Sequence, residues 1–165
     1  LALDRCEEVL ERIKLRPYPV LREVIAHLRA IRPRCPRLSL IHDDYRMGNF
    51  IWRDGRIQAV LDWERVFIGD PMADIAFTRI QTLAGWCSIS GAMAERYARQ
   101  SGIAVDEARV GFWHLLETLK ADLVGLTALK VFADGRSSDL RLLQIGRNVL
   151  ANNIPAEAEA IGLGR

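Results

Sequence analysis

A short apolar segment, a polar loop and a hairpin follow one another between residues 38 and 64, and they constrain the fold more than any other part of the chain. The run from Leu38 to Ile41 predicts a buried strand, and Asp44 lies in the loop directly after it. Asn49 follows five positions later, and Asp62 ends the next apolar stretch. The turn residues Arg53-Asp54-Gly55 predict a hairpin between Asn49 and Asp62, which would bring these two polar side chains together.

These polar side chains are the minimal set for transferring a phosphoryl group with magnesium. Mg²⁺ prefers oxygen ligands, takes few of them from protein and obtains the rest from phosphates and water. Asn49 and Asp62 meet that demand, which leaves Asp44 free to orient or deprotonate an attacking hydroxyl. Protein kinases divide the work in this way, with a loop Asp as base and a loop Asn and a second Asp on the metal ions. The sequence therefore predicts Asp44 as the catalytic base, and Asn49 and Asp62 as residues that bind magnesium and ATP.

Three motifs occur in order: His42-x-Asp44-x4-Asn49, Asp62-Trp63-Glu64 and Gly69-Asp70-Pro71-x-x-Asp74. With them the chain resembles the aminoglycoside phosphotransferase and choline kinase-like family of small-molecule kinases. It is most similar to the branch that has His-Gly-Asp-Tyr-Arg-x-Gly-Asn and Leu-Asp-Trp-Glu, which is related to the kinase-like domain fused to some acyl-CoA dehydrogenases. The resemblance is dense from about Leu38 to Phe77 and depends mainly on the helix pattern from Tyr97 to Leu150.

The resemblance implies a mostly helical α+β fold, namely the carboxy-terminal lobe of a protein kinase-like structure with the metal site on a short β-hairpin. We expect residues 1–165 to form a single unit. Before Pro33 there is no Gly-rich loop followed by a strand Lys and a helix Glu, and the chain has no P-loop. We therefore expect the nucleotide-covering amino-terminal lobe to be absent from this chain and to be its partner. The isolated lobe is expected to be inactive.

Four residues near the motifs have supporting roles with alternatives. Arg46 could reach the transferring phosphate as a fixed positive charge, or could be solvated or paired with a carboxylate. Glu64 could join the metal site if the strand continues past Asp62, or could be a structural carboxylate at the hairpin base. His42 is expected to hold the loop backbone by hydrogen bonds rather than to transfer protons. Asp74 is expected to stabilise the start of its helix and to brace the loop.

One position departs from the pattern of the resembled family, because Asp43 stands where that family usually has Gly. A side chain there costs little unless the backbone needs a positive φ, which Asp tolerates better than most residues. The departure therefore concerns the geometry of the loop rather than its chemistry.

The acceptor pocket of the resembled family lies on the helices after Asp74. Here Trp113, His114 and Glu117 are candidate substrate residues, and His114, Glu117 and Lys120 recur at spacings of three that could line one helix face. The alternative is a solvated polar stripe with Trp113 partly buried. Acidic side chains are too few and scattered for a polycation such as an aminoglycoside, so we expect a neutral or anionic hydroxylated metabolite as the acceptor.

Outside the motifs, apolar residues at helical spacing predict further elements. Asp70 and Pro71 are expected at a helix start, as N-cap and first helical residue. The predicted helices run over Cys6–Ile13, Val20–Ile31, Pro71–Leu83, Ser90–Gln100, Asp106–Phe132 and Asp139–Leu150.

Composition excludes several classes of partner. Lys and Arg number 23 against 21 Asp and Glu, and this near balance argues against a nucleic-acid-binding surface. No stretch supplies the roughly 18 apolar residues that a membrane helix needs. The three cysteines are odd in number and lack metal-ligand spacing, which favours free thiols in a reducing compartment, here the cytoplasm.

Two classes of function fit these observations. The first is an ATP-dependent phosphotransferase that acts on the hydroxyl of a small molecule, and the second is a non-catalytic kinase-like domain that serves in binding or assembly. The presence of Asp44, Asn49 and Asp62 together favours the enzyme, because a decayed site tends to lose costly buried polar groups. A protein kinase is a weaker option, since Asp62-Trp63-Glu64 replaces Asp-Phe-Gly and no Ala-Pro-Glu follows.

Overall fold

The computed structural model describes residues 2–83 and 90–163, and within them the chain is mostly helical with two small sheets, as the α+β prediction required. It divides into two compact units, which we call the helical unit (residues 1–32 and 115–165) and the motif unit (residues 33–114). The elements in chain order are α1 (Ala2–Ile13), α2 (Pro19–Ala30), β1 (Ser39–Ile41), β2 (Phe50–Arg53), β3 (Arg56–Val60), β4 (Phe67–Gly69), α3 (Met72–Leu83), α4 (Ser90–Ser101), α5 (Glu107–Ala133) and α6 (Leu140–Ala160).

The helical unit is built on apolar stripes. In α1 the buried residues recur every three or four positions, as in any helix with one face turned to a core. Helix α2 packs against both α1 and α6. Each fully buried leucine of this kind contributes about 1.5–3 kcal/mol relative to an exposed one. The fully buried apolar side chains of the unit are Leu10, Leu21, Val24, Leu28, Leu116, Leu119 and Leu126.

Helices α5 and α6 approach each other at glycines. A Cβ on Gly146 would lie 2.4 Å from Cγ of Leu129 and 2.5 Å from the carbonyl oxygen of Gly125, so no side chain fits there without movement. Helix α6 also continues to Ala160, and its predicted end at Leu150 was therefore wrong. It passes through Pro155, which removes one backbone donor while packing maintains the rest of the helix.

A pair of carboxyl groups is buried between the same two helices. Asp122 in α5 is 0% exposed and Glu157 in α6 is 1% exposed. Asn153 donates a hydrogen bond of 2.9 Å to Oδ1 of Asp122, but Oδ2 of Asp122 and both oxygens of Glu157 accept no hydrogen bond from a donor in the described residues. Burial raises the pKa of Asp122 to about 6, and burial together with the charge of Asp122 raises the pKa of Glu157 to about 9. One carboxyl therefore carries a proton at neutral pH and can share it with the other.

The motif unit contains two antiparallel pairs of strands. Strand β1 pairs with β4, with Leu40 opposite Ile68. Strand β4 was not predicted, because three residues are too few to show alternation. Strands β2 and β3 form the predicted hairpin, with Asp54 and Gly55 in the left-handed region at its turn and a bulge near Ile51.

Burial of β1 differs from its prediction. Ile41 is buried, but Leu38 and Leu40 are 64% and 58% exposed. The sheet formed by β1 and β4 is covered on one face only, and the side chains of Leu40 and its partner Ile68 lie on its exposed face. The apolar run was therefore a correct sign of a strand but not of burial on both faces.

Helix α3 packs against α4 in the motif unit and begins as predicted. The carboxylate of Asp70 accepts a hydrogen bond of 3.0 Å from the amide of Met72, so it caps the helix. It also forms a buried ion pair with Arg109. The core beneath combines Met72, Ile75, Ala76 and Val110. In the part of the chain that the structure describes, we find no helix with the length and apolar character to cross a membrane.

Candidate active site

The loop of residues 42–49 is fixed from below by helix α3. The two carboxylate oxygens of Asp74 accept hydrogen bonds from the amides of His42, at 3.0 Å, and Asp43, at 2.9 Å. Burial raises the pKa of Asp74, and the two amides partly offset that rise. A side chain in the first turn of α3 thus holds the backbone of the loop directly before Asp44.

His42 joins the loop to the end of the hairpin. Its Nε2 lies 2.8 Å from the carbonyl oxygen of Leu61, and its Nδ1 accepts a hydrogen bond from the amide of Asp44 at 3.2 Å. Since Nδ1 is the acceptor, Nε2 carries the ring proton and donates a hydrogen bond to the carbonyl oxygen of Leu61. The ring is buried and lies 4.6 Å from the ring of Trp63. Both nitrogens are occupied by backbone groups, which leaves no free nitrogen for proton transfer to a substrate.

Asp44 is held by two donors. Its Oδ2 accepts a hydrogen bond of 2.7 Å from Nδ2 of Asn49, and Nε of Arg46 lies 3.2 and 3.3 Å from the two carboxylate oxygens. The side chain of Asp44 is 17% exposed and that of Arg46 39% exposed. The structure thus places Arg46 in the carboxylate-paired arrangement. A charged carboxylate with one accessible side and a fixed orientation can accept a proton from a bound hydroxyl.

Asn49 and Asp62 stand at the open end of the hairpin. The carbonyl oxygen of Asn49 accepts a hydrogen bond of 2.7 Å from the amide of Leu61, so Asp62 follows directly on a residue paired with Asn49. Strand β3 ends at Val60, and Asp62 adopts a left-handed conformation with φ of 67°. Nδ2 of Asn49 donates hydrogen bonds to the carbonyl oxygen and Oδ2 of Asp44, and no donor of the described residues bonds to its Oδ1. The exposed carboxylate of Asp62 has no hydrogen bond or ion pair with any residue that the structure describes.

Glu64 does not lie where a continued strand would put it. Residues Trp63–Arg65 form a 3₁₀ turn, so the strand does not continue past Asp62, and Glu64 is an exposed carboxylate on that turn. Within residues 2–83 and 90–163 no three His, Cys, Asp or Glu side chains cluster as a metal site. The oxygens of Asn49 and Asp62 nevertheless suit a hard cation that takes few protein ligands, which is the preference of Mg²⁺.

Sequence reasoning missed the residues that brace the loop from a distance. Nε and Nη2 of Arg65 donate hydrogen bonds to Oδ2 of Asp43 at 3.1 and 2.8 Å. The hydroxyl of Thr78 donates to the carbonyl oxygen of Tyr45 at 3.1 Å. The residues of these two contacts are 22 and 33 positions apart in the sequence, so a local sequence pattern could not predict them.

The predicted substrate residues separate between the two units. In the motif unit, the ring of Trp113 lies 5.9 Å from that of Phe67, and burial together with the nearby charge of Arg79 lowers the pKa of His114. In the helical unit, Glu117 is buried and its carboxylate lies 2.6 Å from Nζ of Lys120. A solvated stripe, the alternative for this helix face, does not describe Glu117. The role of these three residues in binding an acceptor stays a prediction.

Comparison with known proteins identifies a family and a fold for this chain. Residues 2–113 match the model of a phosphotransferase enzyme family. A crystal structure from Ralstonia eutropha, assigned as an aminoglycoside phosphotransferase, is 16% identical and superposes over 99% of this chain and 55% of its own with a TM-score of 0.79. A thermostable mutant of aminoglycoside phosphotransferase APH(4)-Ia is 21% identical and superposes over 89% of this chain and 45% of its own with a TM-score of 0.58. These likenesses show that the mostly helical α+β fold is that of aminoglycoside phosphotransferases.

Two curated relatives match a shorter segment. Acyl-CoA dehydrogenase family member 10 of Mus musculus is 39% identical over 62 residues, and acyl-CoA dehydrogenase family member 11 of Gallus gallus is 46% identical over 41 residues. The matched segments are 36% and 24% of this chain but only 6% and 5% of those relatives. This chain therefore corresponds to a small part of either relative.

Proposed function

Because the chain belongs to the phosphotransferase enzyme family, we propose that it is the catalytic lobe of an ATP-dependent kinase that phosphorylates a hydroxyl group of a small molecule. One observation carries this proposal. The carboxylate of Asp44 is held by Asn49 and Arg46, and Asn49 pairs with the hairpin end before Asp62, whose exposed carboxylate has no partner among the described residues. This arrangement supports Asp44 as the proton acceptor and the oxygens of Asn49 and Asp62 as ligands of a cation.

In the proposed reaction Asp44 orients the hydroxyl of the acceptor and takes its proton as the oxygen attacks the γ-phosphorus of ATP. The bond from the γ-phosphorus to the β–γ bridging oxygen breaks in the same step, and ADP leaves with that oxygen. The hydrogen bonds from Asn49 and Arg46 fix the orientation of the Asp44 carboxylate, which is what positional catalysis requires. Arg46 belongs to the same loop as Asp44 and can turn its guanidinium to a phosphate once the substrates are bound, although it pairs with Asp44 without them.

Asn49 and Asp62 would hold magnesium, with Glu64 as a further carboxylate at the same turn. Bound Mg²⁺ supplies positive charge to phosphate oxygens and aligns them for transfer. The chemistry of the two side chains supports this role. The amide oxygen of Asn49 and the carboxylate of Asp62, which has no partner among the described residues, are ligands of the kind that a hard cation prefers.

We propose a hydroxylated metabolite, neutral or anionic, as the acceptor and a nucleotide-covering lobe as the partner. An apolar surface on the hairpin supports the second part, since Ile51, Trp52 and Ile57 are 48%, 45% and 42% exposed. Exposed apolar groups of this kind mark surfaces that contact another protein part. The isolated 165 residues are accordingly expected to turn over ATP poorly, because nothing in the described residues would cover the phosphates.

The test uses a protein in which this chain is joined to a nucleotide-covering lobe. Asp62→Asn should nearly abolish magnesium-dependent phosphoryl transfer from ATP to a set of hydroxylated metabolites. Asp54→Asn is the matched control, because it makes the same change at the turn of the same hairpin, where the left-handed backbone also accepts Asn. A parent protein without transfer, or an Asp62→Asn variant as active as Asp54→Asn, would favour the non-catalytic binding domain instead.

A further inference from the structure

A cavity of about 520 Å³ opens in the motif unit between β1, α3 and α4. It touches the 42–49 loop only at Tyr45, and none of Asp44, Arg46, Asn49 and Asp62 lines it. Its wall includes Asp74, whose carboxylate points to the amides of the loop. The cavity is therefore lined by the loop at Tyr45 and not by the proposed reacting groups.

The interior of the cavity is mainly apolar. Ile75 and Leu40 contribute from α3 and β1, and Met93 and Ile103 from α4 and the segment after it. Walls of this kind accommodate an aliphatic or aromatic body through the removal of apolar surface from water.

Two arginines give the cavity a positive edge. Arg37 and Arg96 both line it, both are exposed, and neither guanidinium pairs with a carboxylate of the described residues. The acidic residue of the lining, Asp74, has both oxygens occupied by backbone amides. The side-chain amide of exposed Gln100 adds a further donor next to Arg96 on the same helix. The unbalanced charge at this edge is positive.

We propose that this cavity binds an organic anion with an apolar body, whose acidic group sits at Arg37 and Arg96 and whose body lies against Ile75, Met93 and Ile103. A carboxylate and a phosphate share the chemistry that an arginine pair recognises. The proposal concerns a site separate from the phosphoryl-transfer groups, and it does not depend on the proposed kinase activity.

Binding is measured by isothermal titration of the 165-residue chain with octanoate and, in parallel, octyl phosphate. We expect both to bind, and the tighter of the two identifies the acidic group. Arg37→Gln and Arg96→Gln should each weaken binding about tenfold, which is the usual size of one lost charge-assisted hydrogen bond. Arg147→Gln, another exposed arginine of this chain, is the matched control and should bind like the parent. Unchanged circular dichroism of the variants shows that they remain folded.

Three outcomes would overturn the site. The first is that neither anion binds at millimolar concentration, and the second is that octan-1-ol or octylamine binds as well as octanoate. The third is that Arg37→Gln and Arg96→Gln match Arg147→Gln. Asp44→Asn tests whether the cavity is separate from the phosphoryl-transfer groups, and this variant should bind octanoate as the parent does. A loss of octanoate binding in Asp44→Asn would mean that the two form one site. A chain without kinase activity could still bind octanoate, so failure of this proposal and failure of the kinase proposal are distinguishable.

Discussion

Arg65 donates two hydrogen bonds to a single carboxylate oxygen of Asp43, at 3.1 Å from Nε and 2.8 Å from Nη2. Asp43 has φ of 64°, and its side chain is 7% exposed against 39% for that of Arg65. The residue that departs from the family's usual Gly is thus the one that ties the 42–49 loop to the turn after Asp62. The departure adds a contact that a glycine could not make.

We predict that Arg65→Gln is more harmful than Asp43→Gly. Arg65→Gln removes the cation that donates two hydrogen bonds to the nearly buried carboxylate of Asp43, whereas glycine removes the carboxylate itself and accepts the positive φ without strain. Arg65→Gln should lower the free energy of unfolding by about 1–3 kcal/mol, the usual size of a lost hydrogen bond to a charged group. Urea unfolding of both variants and of the double variant provides the measurement.

The double variant is decisive for this contact. Its stability should lie close to that of Asp43→Gly alone, because without Asp43 the loss of Arg65 strands no charge. Strictly additive losses of unfolding free energy would mean that the contact between Asp43 and Arg65 does not contribute to stability.

Asp44 and Asn49 should fail in different ways in a protein that carries both lobes. Asp44→Asn keeps the shape but removes the proton acceptor, so the rate should fall by roughly 10²–10⁴ while magnesium–ATP binding survives. Asn49→Ala should first raise the magnesium concentration needed for half-maximal rate, because it removes one oxygen ligand. A magnesium titration of both variants beside the parent, with ATP binding measured separately, distinguishes them. If both lose ATP binding equally, the assignment of Asp44 as the base is wrong.

The buried pair Asp122 and Glu157 should make the helical unit sensitive to alkaline pH. Both pKa values are raised in the folded state, so the folded chain binds more protons than the unfolded chain from about pH 4, the ordinary carboxyl pKa, up to about pH 9. The free energy of unfolding must therefore fall as pH rises through this window. The fall is at most about 1.4 kcal/mol per pH unit for each group that titrates.

Asp122→Asn tests this dependence, since its amide can still accept from Asn153 and can donate to Glu157. Urea unfolding between pH 5 and pH 9 should show a weaker loss of stability in Asp122→Asn than in the parent. Asp54→Asn, at an exposed turn, should follow the parent. Parallel pH profiles for all three proteins would contradict a proton shared between the two carboxyl groups.

Local patterns in the sequence predicted those features that depend on near neighbours. Periodic apolar residues indicated the helices, the turn residues at Asp54 and Gly55 indicated the hairpin, and Asp70 capped α3 as expected. Strand β4 could not be predicted from the sequence, because its three residues form a strand through pairing with the distant β1. Exposure of Leu38 and Leu40 could not be read from an apolar run, since burial depends on what covers the sheet.

The candidate site shows the same division. The order and spacing of Asp44, Asn49 and Asp62 were visible in the sequence, but the link from Arg65 to Asp43 was not. The position of Glu64 depended on whether the strand continues past Asp62, and the chain instead turns directly after Asp62, whose backbone is left-handed. The hydrogen bond from His42 to Leu61 holds the chain directly before this turn, and its two residues are 19 positions apart.

The glycines between α5 and α6 should respond unequally to alanine. At Gly146 the new methyl would lie 2.4 Å from Leu129 and 2.5 Å from a backbone oxygen, so about 1–3 kcal/mol of stability should be lost through overpacking. At Gly125 the nearest atom, Cβ of Val149, is 3.3 Å away and can yield, and the helix propensity of alanine offsets part of the cost. Thermal unfolding should place Gly146→Ala well below Gly125→Ala, and equal melting temperatures would contradict the close approach.

The close approach of α5 and α6 at Gly146 limits which amino acids can replace this residue during evolution. Most core positions of a helical protein accept exchanges among Leu, Ile, Val and Met when the total volume is kept. A position that already touches the backbone of the neighbouring helix has no such set of acceptable alternatives, because every other residue is larger. Homologues that keep α5 and α6 at this distance are therefore expected to share glycine at position 146, whatever their substrate pockets contain.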